Sequence, residues 1–350
     1  MIFFLRKEGG DYSPGNVGIA ALENLGAVGA SGQHLVVGER DLLSAIASDD
    51  RLSPRVRSYY RRVEQSLTQF GALIRLAPKL TIDLSDESSV VLADLVPIGV
   101  FSSMDYCEKS QLLVENLTDF DVLTSLARVL GNERYKGLEL SIRAQNGGGS
   151  TTAAVLEHLS RVPSGPVICV VDSDRTYEGG RAGSTLLTAY RIARRSQDAW
   201  RVQFYALEQR ELENLVPHDL LSHCAPHVPA EEIKSLLGVS SAYVNFCCFK
   251  SGDSKCRMIS SVISKGRIDL LKSMVSIESS GLPAHPACGT CPSPNGCFQS
   301  PAFGANFLQR VAEELLSGRG VTTMSRWKSD LIELVEKVFL AGAALAPQRV

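Results

Sequence analysis

Two apolar runs dominate the hydrophobic pattern of this chain. Leu112, Leu113 and Val114 form one that stops at Glu115; Val167, Ile168, Cys169, Val170 and Val171 form another that stops at Asp172 and Asp174. Continuous runs of this length suit strands covered on both faces. Around them the pattern predicts a helix over Asp119–Leu130, a strand over Leu138–Ile142, a helix over Thr151–Leu159, a helix over Gly183–Arg195 and a strand over Val202–Ala206. Strand and helix in alternation predict a parallel sheet with right-handed crossovers. Earlier in the chain, Leu52–Leu76 carries an amphipathic helical pattern, and Leu80–Leu95 reads as two strands joined by Ser85–Ser88. After Glu208 the pattern is mostly helical, broken between Pro283 and Cys297 by a stretch rich in Cys, Pro and Gly. The expected architecture is α/β: a mainly parallel sheet flanked by helices over 106–220, a small α+β domain over 1–105 and a mostly helical region over 221–350 with a Cys/His cluster.

Composition narrows the picture a little. With 350 residues, 44% apolar and 21% charged, the chain is long enough for more than one domain and ordinary for a globular protein. A net charge of −2 argues against wholesale nonspecific binding to nucleic acid but leaves room for a local basic surface. The opening MIFFLRKEGG is too short in apolar residues for the core of a secretory signal, and no uncharged apolar stretch reaches the roughly 18 residues of a membrane span. The expectation is a cytoplasmic protein with no membrane partner. Nine cysteines, one inside an apolar strand, fit reduced thiols or a metal site better than a disulfide framework.

The candidate chemistry sits at the strand ends. In open α/β sheets ligands bind outside the carboxyl ends of the strands, where Glu115, Asp172 and Asp174 are expected. Oxygen-only ligands favour a hard cation, here magnesium or manganese. On a regular strand Asp172 and Asp174 share a face and can chelate one ion. Glu115 completes the ligand set or serves as general base, and Asp119 lies about one turn into the next helix. The bland alternative for each is a cap or loop acid that follows a strand. Downstream, ALEQRELENLVPHDLL opens a helix or loop in which Glu208 and Glu211 share a helical face while Glu213 points elsewhere.

The glutamate after an apolar strand, the acid at Asp119, the DxD of VVDSDRT and the segment LEQRELENL together resemble the TOPRIM domain, especially that of OLD-type and phage-defence nucleases. The resemblance covers residues 106–220. It departs from the family pattern at Asn116, where a glycine commonly stands, and at the glycine after the DxD, delayed to Gly179. It implies a TOPRIM-like fold and a magnesium-dependent endonuclease acting on DNA or RNA, with catalytic acids at Glu115, Asp119, Asp172, Asp174 and, by position ahead of Asn214, Glu213. It also implies an antiphage effector working beside a separate ATPase subunit, since the chain has no P-loop lysine. The competing classes are a catalytically silent module that binds nucleic acid or a partner, and a magnesium site serving other phosphoryl chemistry. A homo-oligomer is compatible with each.

Weaker signals complete the reading. Three glycines with Ser150, Thr151 and Thr152 lie between a strand and a helix, either as a phosphate cradle or as a plain turn. Lys250, Lys255 and Arg257 are candidates for contacting a nucleic-acid backbone, against a solvated basic loop. His285, Cys288, Cys291 and Cys297 carry ligand types that close a structural zinc site, with free thiols in a loop or an iron–sulfur cluster as alternatives. Arg55, Arg57, Arg61 and Arg62, with Tyr59 and Tyr60 interleaved, read equally as a duplex-contacting surface or a partner interface.

Overall fold

A computed structural model describes residues 1–7, 12–85, 95–196, 198, 200–237, 244–252, 284–285, 297–298, 301–318 and 324–348. The chain forms two compact units: Met1–Val170 with Thr188–Tyr205 and Glu333–Val350, and Val171–Leu187 with Ala206–Ile332. The expected segments 1–105, 106–220 and 221–350 run consecutively, whereas both observed units are discontinuous in sequence.

The first unit contains two parallel sheets. In the N-terminal one, β1 (Ile2–Arg6), α1 (Asn16–Ala30), β2 (Leu35–Gly38), α2 (Arg40–Ala47), α3 (Pro54–Leu76), β3 (Leu80–Asp83) and β4 (Leu95–Pro97) follow in turn. The strands order as β2-β1-β3-β4, all pairs parallel. This wiring is α/β, which corrects the expected α+β domain: β3 and β4 do not close on each other as a hairpin but lie side by side in parallel. The short runs IFFLR and LVVG supply the two strands the sequence reading lacked, and Ile2, Phe3, Leu5, Leu35, Val36 and Val37 are wholly buried. Pro54 starts α3 where its missing N–H costs nothing, and Ser53 caps it by accepting from Val56 N–H at 3.4 Å. Small residues on α1 let α3 come close: a Cβ on Gly29 would lie 2.3 Å from Tyr59 Cζ. Tyr59 and Tyr60 are therefore core residues, bonded through their hydroxyls to Val36 and to Leu22 O, and not a nucleic-acid platform.

The second sheet follows from β5 (Gln111–Val114), α4 (Leu117–Arg134), β6 (Leu138–Leu140), β7 (Arg143–Asn146), α5 (Thr152–Arg161), β8 (Val167–Val171), α6 (Ser184–Arg195) and β9 (Val202–Ala206). Its order is β7-β5-β8-β9, with β5 parallel to both neighbours. The strand expected over Leu138–Ile142 is displaced. Leu138–Leu140 leaves the sheet, and the edge position falls to Arg143–Asn146, whose polar RAQN sequence gives no apolar run because an edge strand needs none.

The rest of the chain supplies α7 (His218–Cys224), α8 (Ala230–Leu237), β10 (Ala284–His285), β11 (Cys297–Phe298), α9 (Phe307–Leu316), α10 (Ser329–Ala341) and β12 (Ala343–Leu345). β12 pairs antiparallel with β6, an element the hydrophobic pattern did not announce. Among the described residues no helix is long and apolar enough to cross a membrane.

Candidate active site

In the second sheet the chain steps from β5 to one side, onto β7, and then to the other, onto β8. The order reverses between β5 and β8, and the carboxyl ends of strands at such a switch point are where open α/β sheets bind ligands. Within the first unit, Glu115 follows β5 directly and is half-buried. Its charge adds to the effect of burial in pushing the Cys169 thiol up. The glycine turn after β7 holds this strand end: Gly147 N–H donates to Val114 O at 2.7 Å and Gly149 N–H to Glu115 O at 3.1 Å. Gly148 N–H donates to Asn146 Oδ1 at 3.0 Å. All three glycine amides are thus engaged inside the protein, which favours the plain turn over the phosphate cradle. Gly148 and Gly149 both take the left-handed conformation, so glycine is required there. Asp119 accepts from Asn116 N–H at 3.0 Å and so caps α4.

The second unit assembles its own acidic group. β8 ends at Val171, and the DxD that follows is a turn. Ser173 N–H and Asp174 N–H both donate to Arg210 O at 3.1 Å, and Ser173 Oγ donates to Gln209 O at 2.6 Å. Asp174 has φ 53°, the left-handed region that non-glycine residues seldom enter. The same-face geometry expected of a regular strand therefore does not hold: Asp172 is half-buried, while Asp174 is exposed and packs on Gly183, where a Cβ would stand 2.4 Å from Asp174 Oδ2.

Docked against this turn is the segment Gln209–Leu215. Of the helix or loop expected, it takes the loop, with a short 3-10 turn over Leu212–Leu215. Asn214 fastens it, its Oδ1 accepting from Glu211 N–H at 3.0 Å and its Nδ2 donating to Val244 O and Cys247 O at 2.9 Å each. Those bonds carry Lys250 to the acids: its Nζ lies 3.1 Å from Glu213 Oε1 and 3.7 Å from Glu211 Oε2, with the carboxylates 2% and 8% exposed. Burial alone would lower the Lys250 ammonium, but the charges of Glu213, Glu211 and Asp172 outweigh it and hold its pKa above the ordinary value. Burial, then the neighbouring Glu213, push the Glu211 carboxyl up, against Lys250 and Arg210. Among the described residues Glu211 Oε2 accepts no hydrogen bond and the buried Nε of Arg175 donates none.

The structure thus brings Glu211 and Glu213 to one lysine, on which the charge of Asp172 also acts, and Lys250 is joined to acids where a nucleic-acid backbone contact or a solvated basic loop was expected. Glu208 is exposed. In the sequence Glu211 ranks below Glu213, since on the helical alternative the two lie on different faces. Among the described residues no three His, Cys, Asp or Glu side chains are grouped to hold a metal ion. Of the expected zinc ligands, Cys288 and Cys291 lie outside the described residues, as do Lys255 and Arg257; His285 and Cys297 are described as backbone partners in the β10–β11 pair. Comparison with family models, with curated proteins and with solved structures gives no match.

Proposed function

We propose that this chain is a divalent-cation-dependent nuclease that cleaves phosphodiester bonds of DNA or RNA with a TOPRIM-like acidic centre. One observation carries the reading: Glu211 and Glu213, both almost fully buried, share a single lysine, which the charge of Asp172 at the end of a buried strand also helps hold above its ordinary pKa. Buried carboxylates cost several kcal/mol to desolvate, so a group of them is seldom retained for stability alone. The donor set suits magnesium or manganese, for it is all carboxylate and includes an oxygen with no hydrogen-bond donor among the described residues. Such an ion, held by Asp172 and Glu213 with Glu211 beside them, would polarise a phosphoryl oxygen and supply hydroxide at neutral pH. Lys250 offsets the repulsion among the acids and, being 40% exposed, offers positive charge to an arriving phosphate. Asp174, strained and exposed, belongs to the same turn. Glu115 and Asp119 enter through the resemblance. The resemblance also supports an antiphage effector role beside an ATPase subunit; a structural zinc held by His285, Cys288, Cys291 and Cys297 rests on their ligand types alone.

A second reading, a silent module that binds nucleic acid or a partner, draws on the lysine already pairing with two acids and on the lack of a grouped metal cage among the described residues. Purified protein with plasmid DNA or total tRNA, in magnesium or manganese, separates the two. The nuclease reading expects cleavage that Glu213→Gln and Glu115→Ala each reduce by about 100-fold. Cleavage indifferent to both substitutions, or no cleavage together with no manganese-induced shift in Tm, gives the silent module the better claim.

A further inference from the structure

Two arginine-rich helices of this chain are used in opposite ways. On α3, Arg57 pairs with Asp50, Arg61 donates to Ala47 O at 3.4 Å and Arg62 to Ala346 O at 3.1 Å. Those side chains are tied down within the protein. On α6, Arg191, Arg194 and Arg195 are all exposed, and among the described residues none has a hydrogen bond or an ion pair. Tyr190 stands 47% exposed beside them, its ring 5.8 Å from that of Phe204. At 100° per residue, Ser184, Thr188, Tyr190, Arg191, Arg194 and Arg195 fill one continuous arc of roughly 160°. The helix sequence STLLTAYRIARR contains no acid to offset them. In a chain of net charge −2 this is an uncompensated basic face.

The position of α6 in the chain gives the face its meaning. Gly183 N–H donates to Ser173 O at 2.9 Å, and Leu187 N–H to Gly183 O at 3.2 Å, so the first turn of α6 is fastened to the residue between the two DxD aspartates. Three guanidinium groups spread over about 6 Å of helix axis match a run of phosphates, to which arginine bonds bidentately. A single tyrosine leaning on Phe204 is a poor platform for stacked bases, whereas single-strand binders use several exposed aromatic faces. The fit is to a duplex met through its backbone.

We propose that the exposed face of α6, with Arg191, Arg194 and Arg195 as phosphate contacts and Tyr190 packing alongside, docks the nucleic-acid duplex. The proposal rests on the nuclease reading above, since it names the surface that would hold that enzyme's substrate. Binding is measured on the full chain without divalent ion, so that no cleavage intervenes, by fluorescence anisotropy of a labelled 30-base-pair DNA duplex over a salt series. The combined Arg191→Gln, Arg194→Gln, Arg195→Gln variant is expected to bind at least about tenfold more weakly and to lose between 2 and 3 from the slope of log K against log salt, near 0.9 per phosphate contact. The matched α3 variant, Arg57→Gln with Arg61→Gln and Arg62→Gln, is expected to keep the wild-type slope. An α6 variant with unchanged affinity and slope, wild-type protein that does not bind the duplex, or a preference for single strands overturns the proposal. Equal binding of duplex RNA leaves it standing, because the phosphates are shared. Hydrolysis of a small phosphodiester, bis(p-nitrophenyl) phosphate, keeps the two readings apart. If the α6 variant retains that activity but loses duplex cleavage, the face acts in docking; if wild type lacks both activities, the nuclease reading fails on its own account.

Discussion

The sheets β2-β1-β3-β4 and β7-β5-β8-β9 have the same wiring: a first strand, a second on one side of it, a third and fourth on the other. Each therefore has a switch point between its first and third strands, and the two differ in what stands there. In the N-terminal sheet Arg6 ends β1 and Asp83 ends β3, and the two are register partners of opposite charge. Asp83 also accepts from Ser85 N–H at 2.9 Å, which closes the local turn. In the second sheet β5 runs into Glu115 and β8 into Asp172, acids at both ends. The shared topology gives a switch point twice; only residue chemistry at the strand ends distinguishes the two sheets.

The strongest way to break this contrast is to remove the matching aspartates. Asp172→Ala is expected to lower nuclease activity by about 100-fold or more, while Asp83→Ala, at the third strand of the other sheet, changes it by no more than about twofold. Comparable losses, read from initial rates of plasmid nicking, would falsify the division of labour.

A second comparison uses the helices after each first strand. In α1 a Cβ on Gly29 meets Tyr59 Cζ at 2.3 Å, and in α4 a Cβ on Gly131 meets Phe339 Cε2 at 2.2 Å. Both glycines serve close approach, so Gly29→Ala and Gly131→Ala should each cost about 1–3 kcal/mol, even though alanine is the better helix former. Calorimetry should show both Tm values falling. A rise in either would mean that helix propensity outweighs packing there and that the sheet's covering helix is looser than drawn.

How far the sequence anticipates all this differs between the sheets for the same physical reason. The runs LLV and VICVV are buried on both faces and announce themselves. IFFLR, LVVG, RAQN and AAL did not, being short or, in RAQN, polar at an edge. At the candidate site, Asp172 was legible because it follows a strand end, and Glu213 only through the resemblance, by its position ahead of Asn214. Glu211 and Lys250 were not, since their meeting depends on Asn214 bonding across to Val244 and Cys247, a contact between segments that no periodicity encodes.

Lys250 tests that contact. Lys250→Met leaves Glu213 and Glu211, 2% and 8% exposed, without their cation. Losing one partner of a fully buried pair costs about 3–5 kcal/mol, but a lysine 40% exposed to solvent is partly screened, so about 1–2 kcal/mol is expected. Manganese should recover part of the lost Tm in Lys250→Met and give no such recovery in a double variant that also carries Glu213→Gln. Equal recovery in both would place the ion elsewhere.

The smallest effect is the most diagnostic of charge at the site. The folded-state pKa of Glu211 lies above its ordinary value, because burial and then Glu213 disfavour the ionised form. The folded protein thus holds this proton more tightly than the unfolded chain does, and the group's contribution to stability is greatest when protonated and declines as pH rises through the folded pKa. Glu211→Gln has no proton to lose. Without divalent ion, its stability relative to wild type should be level in acid and improve as pH rises through and above the carboxyl range. With saturating manganese the order should reverse, because the carboxylate then gains an ion that glutamine binds poorly. Urea titrations at pH 4 and pH 8, with and without manganese, measure both signs. An advantage for glutamine that persists with the metal would remove Glu211 from the ligand set and leave Asp172 and Glu213 to hold the ion.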